Sequence, residues 1–336
     1  MATAKIPEAT STLLAPAERA LQVIGGDVSD ASLRQYLEGL SPVDAVGLHA
    51  RAASFQTRSI KAASKKTALD TIITLTDLTT LEGADTRGKV RSLVAKAITP
   101  DAGDPSTPTV AAVCVYGDMV PHVREALGAR TDIAIAAVAT AFPSGRASLA
   151  VKIADTKDAV AAGADEIDMV IDRGAFLSGR YGEVFDQIVA VKEACRRADG
   201  TYAHLKVILE TGELNTYDNV RKASWLAILA GGDFIKTSTG KVSPAATMPV
   251  TLTMLHVVRD WKRLTGENIG VKPAGGIRSS KDAIRYLVMV AETVGSTWLH
   301  PHLFRFGASS LLNDVLLQRQ KMTTGRYSGS AYVTEG

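Results

Sequence analysis

From about residue 70 onward, short β-branched apolar runs alternate with helix-length segments, and this alternation confines the chain to repeated βα units. Eight strands are expected: residues 71–77 (TIITLTD), 109–115 (TVAAVCV), 132–140 (DIAIAAVAT), 166–171 (EIDMVI), 204–210 (HLKVILE), 233–237 (DFIKT), 269–274 (IGVKPA) and 303–307 (LFRFG). Between them lie segments such as EVFDQIVAVKEACRRA and YDNVRKASWLAILAG, the second ending in a glycine suited to a helix C-terminus. Eight such units in an α/β chain imply a closed parallel (β/α)8 barrel, a TIM barrel, and 336 residues accommodate one of roughly 250 with additions. The barrel is expected over 67–322, with an N-terminal helical extension at 1–66 and a C-terminal tail at 323–336. The extension reads as two or three short helices, including SDASLRQYLEGL and SPVDAVGLHARAASFQ, that pack on the barrel or on a neighbouring subunit, so a homodimer is compatible with it. Arg58, Lys61, Lys65 and Lys66 ahead of the first strand read as a solvated face.

Charge narrows the function classes. A net charge of +3, scattered along the chain, argues against nucleic acid, which calls for a basic stripe with interleaved aromatics. No stretch approaches the roughly 20 apolar residues of a membrane span. The first residues lack the apolar core of a secretory signal, and the expected compartment is the cytoplasm. Cys114 and Cys195 have no metal-type spacing and read as buried free thiols.

Side chains of a strand alternate between its two faces. If Ile167, Met169 and Ile171 pack outward against helices, Asp168 faces the barrel interior. The same parity turns Lys206, Lys236 and Lys272 inward, with the last two on neighbouring strands. One reading is a structural ion-pair network in which Asp168 neutralises a lysine. The other starts from like charge: a partly desolvated lysine beside a second ammonium has a depressed pKa, so its neutral amine can attack an aldehyde. Asp168 and Lys272 would then move the proton of the resulting Schiff base. That is the pattern of an aldolase needing no metal and no cofactor.

The segment TSTGK at 237–241 is not a phosphate loop of the nucleotide-binding kind, because Ile235 and Val242 stand where that loop needs glycine and a hydroxyl residue. Glycine-bearing segments nevertheless follow the last three strands: STGK (238–241), AGGIRSS (274–280) and FGASS (306–310). With Lys241 and Arg278 they would present backbone N–H groups and positive charge to an anion at the barrel mouth, where such barrels commonly hold phosphate. Any one of Gly275, Gly276 and Gly307 could equally serve a tight turn alone.

DLTTL (77–81), EIDMVI, LKVILETGEL (205–214), DFIKTSTGK, VKPAGGIR (271–278) and RFGASSLL (305–312) together resemble the deoxyribose-phosphate aldolase family, in order, over about residues 70–320. The resemblance implies reversible cleavage of 2-deoxy-D-ribose 5-phosphate to D-glyceraldehyde 3-phosphate and acetaldehyde. It implies Lys236 as the Schiff-base lysine, Lys272 as the neighbour that lowers its pKa, and Asp168 as the proton relay. Asp77, Thr79 and Thr239 would contact the sugar or support the site, and Lys206 would belong to the surrounding charge network. Phosphate would sit against Gly240, Lys241, Gly275, Gly276, Arg278, Gly307, Ser309 and Ser310. Shorter relatives end in a tyrosine that reaches the site; here Tyr327 or Tyr332 could do so, and a disordered tail that takes no part is an equal reading. The rival readings are an aldolase for another phosphorylated aldehyde, a non-covalent sugar-phosphate barrel acting as a binding protein or as an isomerase, which would need a carboxylate base but no nucleophilic amine, and a catalytically retired scaffold, against which the intact Asp168, Lys236 and Lys272 speak.

Overall fold

A computed structural model describes residues 16–58, 60, 62–326 and 329; Lys61, Tyr327 and Tyr332 lie outside them. Four helices come first: α1 (Pro16–Ile24), α2 (Asp30–Glu38), α3 (Ala45–Gln56) and α4 (Ala62–Thr74). Then strands and helices alternate: β1 (Thr76–Thr79), α5 (Arg87–Ile98), β2 (Ala112–Tyr116), α6 (Val120–Leu127), β3 (Ala134–Val138), α7 (Leu149–Ala161) and β4 (Glu166–Val170). They continue through α8 (Arg173–Leu177), α9 (Tyr181–Ala194), β5 (His204–Ile208), α10 (Tyr217–Leu229), β6 (Phe234–Lys236) and α11 (Met248–Thr265). The series closes with β7 (Gly270–Lys272), α12 (Ser280–Thr293), β8 (Phe306–Ala308) and α13 (Leu311–Thr324).

All pairings between these strands are parallel. Their order is β7-β6-β5-β4-β3-β2-β1-β8, and parallel bridges Val271↔Phe304 and Ala274↔Gly307 join the two ends. The expected eight-stranded barrel is therefore present. Thr86, Ser148, Thr216, Thr247 and Ser279 cap α5, α7, α10, α11 and α12 by accepting a backbone N–H in the first turn, which fixes where each loop at the mouth ends.

The first strand begins later than its sequence suggests. Residues 71–74, expected in the strand, complete α4, where Leu69, Ile72 and Ile73 bury one helical stripe. A run of β-branched residues this short fits either period, and packing chose the helical one. The last strand also shifts, from the expected 303–307 to Phe306–Ala308. The 66/67 boundary expected for the barrel falls inside α4, and 322/323 falls inside α13.

Before the barrel, α2 packs on α9 and α10, α3 on α11 and α12, and α4 on α12 and α13. Leu33, Leu37, Leu48, Ala52 and Phe55 are buried there, so the extension covers the chain's own outer helices. Among the described residues no helix is long and apolar enough to cross a membrane.

Candidate active site

Parity places the chemistry. On β4 the alternation buries Ile167 and Met169 among the outer helices and directs Glu166 and Asp168 to the barrel axis. The register sets Asp168 opposite Lys206 and Lys236 opposite Lys272. The three lysines and Asp168 are almost wholly shielded from solvent.

They converge on one carboxylate. Lys236 Nζ and Lys272 Nζ each donate to Asp168 Oδ2 at 2.8 Å, while Lys206 Nζ donates to Asp168 Oδ1 at 3.0 Å. Lys272 also lies 2.5 Å from Asp77 Oδ2. The two lysines at the mouth thus share one acceptor oxygen but differ in what else holds them, since among the described residues Lys236 has no second carboxylate.

The electrostatics follow from that difference. Burial disfavours charge on Lys236, Asp168 opposes this, and the Lys272 ammonium adds to the depression; the net result lies below the usual lysine range. Burial acts on Lys272 in the same sense, but Asp168 and Asp77 outweigh it and hold its proton above the usual range. Lys206 is raised likewise by Asp168 and Glu166 against its burial. Burial would raise Asp168, yet Lys206, Lys236 and Lys272 keep it well below ordinary carboxylates. The arrangement therefore favours one neutral amine beside one ammonium.

A cavity of about 390 Å³ runs from Lys236 to the glycine segments. Its lining includes Thr79, Thr239, Gly240, Lys241, Gly275, Gly276, Arg278, Gly307, Ser309 and Ser310, so all the residues expected to face phosphate share one wall with the lysine. Gly240 and Gly275 adopt φ of +81° and +77° and approach closely; a Cβ on Gly275 would stand 2.7 Å from Ala245 Cβ. Glycine is needed here for both reasons. Lys241 pairs with Glu82 at 2.8 Å across the mouth. Gly307 does more than line the cavity, because a Cβ there would meet Ala274 Cβ at 2.7 Å and Lys272 Cε at 3.1 Å.

Thr79 donates to the Asp77 carbonyl at 2.8 Å. Thr239 donates to Glu210 Oε2 at 2.5 Å and accepts from the Lys241 amide at 3.1 Å, so its hydroxyl holds the loop after β6. Glu210 is a residue the sequence reading passed over. It is buried in a left-handed conformation, φ +53°, and burial raises its pKa. Arg305 and Glu166 were also missed, although extending the parity rule one step along β4 and back from Gly307 would have turned both inward. Opposite the charges, Leu81, Cys114, Ala136 and Val138 form a buried apolar wall against which Tyr116 and Phe142 pack.

Comparisons with known proteins agree with this geometry. Residues 71–316 match the family model for the DeoC/LacD family aldolases. A human deoxyribose-phosphate aldolase is 45% identical over 265 residues, covering 76% of this chain and 82% of that protein. The mouse protein of the same name is 44% identical over 280 residues, covering 81% and 86%. In fold, the chain is similar to the tetrameric deoxyribose phosphate aldolase of Aeropyrum pernix, with a TM-score of 0.55 at 23% identity over 80% of this chain and all of that one.

Proposed function

The chain belongs to the DeoC/LacD aldolase family, and from that premise we propose how its residues divide the work of catalysis. The reaction is that of a class I aldolase: reversible cleavage of 2-deoxy-D-ribose 5-phosphate to D-glyceraldehyde 3-phosphate and acetaldehyde.

In the cleavage direction the neutral amine of Lys236 attacks C1 of the open-chain sugar, and the resulting carbinolamine takes up one proton through Asp168 and loses water, leaving a protonated Schiff base. The C3 hydroxyl gives up its proton to the Asp168 carboxylate as the C2–C3 bond breaks. The electron pair of that bond moves into the iminium to give an enamine on Lys236, and D-glyceraldehyde 3-phosphate departs. Protonation of the enamine at C2 and hydrolysis release acetaldehyde and restore the amine. Asp168, ionised and bonded to both lysines, relays the protons, and Lys272 keeps its ammonium throughout. Asp77 anchors Lys272, Lys206 anchors Asp168, and Thr79 and Thr239 support the site from its rim. The phosphate is taken by the amides of Gly240, Gly275, Gly276, Gly307, Ser309 and Ser310 and by the charges of Lys241 and Arg278, with Lys241 exchanging Glu82 for the ligand. We further propose a cytoplasmic enzyme, since both cysteines are buried free thiols, as a reducing compartment favours.

The observation that carries the assignment is the shared oxygen: Lys236 and Lys272 both sit 2.8 Å from Asp168 Oδ2, and only Lys272 has Asp77 as well. Borohydride reduction of the metal-stripped protein with acetaldehyde, followed by peptide mass mapping, tests it. An ethyl group on Lys236 is expected; an ethyl group on Lys272 instead would reverse the two roles, and no adduct would return the site to non-covalent chemistry.

A further inference from the structure

Below the three lysines the charges do not stop. Arg305, on the segment entering β8, is buried and reaches two carboxylates, Asp77 through Nη1 and Glu166 Oε1 through Nη2 at 2.8 Å. Glu166 in turn bonds Lys206, which bonds Asp168. Asp77 closes the circuit through Lys272, which returns to Asp168. Lys206, Lys236, Lys272 and Arg305 are thus enclosed with Asp77, Glu166 and Asp168. Four basic groups meet three carboxylates, so the enclosed charge cancels when one basic group is neutral. Three of the four contact two or more carboxylates of the set, whereas Lys236 contacts one.

We propose that Arg305 and Glu166 are positioning residues for the reaction, acting through this closed network to make Lys236, and no other member, the neutral amine. An uncompensated buried charge is strongly unfavourable, and the member with fewest partners is the one that yields its proton. The inference rests on Lys236 being the Schiff-base lysine and extends it. The neighbouring ammonium of Lys272 is then one contributor among several, and charges out of reach of the substrate share control of the nucleophile.

Other titratable groups face the network. From β2, Cys114 faces the lysines as a thiol whose pKa burial raises, and β3 contributes the apolar Ala136 and Val138. Glu210 is bonded to Thr239 and makes no ion pair among the described residues. Near Arg305 stand His300 and His302, and His204 faces Glu166; burial first, with Arg305 acting in the same sense, pushes His300 and His302 towards their neutral forms.

The test is the pH dependence of reductive trapping of acetaldehyde on Lys236, followed by peptide mass mapping with cyanoborohydride as reductant. A unit charge roughly 10 Å away, at an effective dielectric near 20, moves a pKa by about one unit. Arg305→Met removes a cation, so the trapping limb should move to higher pH by about that much. Glu166→Gln removes an anion and should move it to lower pH. The double variant restores the cancellation and should return the limb to within about 0.3 units of wild type, a few tenths of the single-charge effect. A merely structural pair would move both limbs the same way or neither, and either result overturns the proposal. If Arg305→Met does not fold, Arg305→Gln removes the same charge while keeping a donor for both carboxylates; its limb should rise by about the same one unit, and a limb unmoved or lowered overturns the proposal. Absence of adduct in the wild type would instead overturn the Schiff-base assignment itself.

Discussion

The barrel is lined by two unlike walls. On β2 and β3 the interior residues are Cys114, Ala136 and Val138, with Leu81 joining them from the loop after β1. On β4 to β7, on β1 and just ahead of β8 the interior also carries Glu166, Asp168, Lys206, Lys236, Lys272, Asp77 and Arg305, every one buried. Either wall alone would do little. The charged wall by itself would settle into fixed ion pairs, and the apolar wall by itself would be ordinary core. Facing each other across one cavity, the apolar side withholds solvent from the lysines and the charged side decides which of them keeps its proton. Desolvation heads the causes that depress Lys236, ahead of the charges.

Substitutions can break this division. The largest effect is expected from Lys236→Leu, which should lower cleavage by roughly 10⁴-fold or more, as removal of a covalent nucleophile does, while circular dichroism stays native. Near-normal turnover would remove the mechanism. Lys272→Leu should reduce kcat by about 10² to 10³-fold, the range for removing a preorganised charge from a site, and should move the acid limb of the pH–rate profile upward. The sign follows from charge: with one ammonium gone, Lys236 holds its proton to higher pH. Asp168→Asn should fall in the same range, with proton exchange into acetaldehyde slowed more than substrate binding; an unchanged exchange rate would contradict the relay.

Cys114→Asp is the sharpest probe of the contrast, because it places a carboxylate in the apolar wall beside the lysines. A fourth anion would stabilise the Lys236 ammonium, so activity at neutral pH should drop about tenfold for each unit by which the limb rises, whereas Cys114→Ser should remain within a few-fold of wild type. Equal behaviour of the two variants would deny the apolar wall any electrostatic role. The smallest effect on chemistry is expected from Gly307→Ala. Its new Cβ would crowd Ala274 and Lys272, lowering stability by about 1–3 kcal/mol as overpacking does, read as a fall in Tm with a modest loss of kcat.

Acid should dismantle the charged wall. The folded pKa of Asp168 lies below its unfolded value, so its contribution to stability is complete above about pH 4 and is lost as pH falls through the folded pKa.

Much of this was legible in the chain. Asp168, Lys206, Lys236 and Lys272 could be turned inward from parity alone, because each sits between apolar neighbours that must face helices. Strand ends were less legible: Thr71 to Thr74 carry strand-like side chains, yet α4 claims them through the helical stripe of Leu69, Ile72 and Ile73. Arg305 escaped notice because the sequence around it, LFRFG, offers a weak strand signal, and the parity of a strand with uncertain ends is itself uncertain. Glu210 escaped because nothing local announces a left-handed glutamate; the loop after β6 demands it by presenting Thr239.

By itself the chain therefore determined the succession of βα units, the inward lysines and the glycines at the mouth, since these depend on local period and backbone freedom. Only the closed barrel decided the partners. Arg305 meets Asp77 across 228 residues because β8 is seated beside β1. Which carboxylate each cation reaches depends on that closure, since parity assigns a face but not a neighbour across the axis.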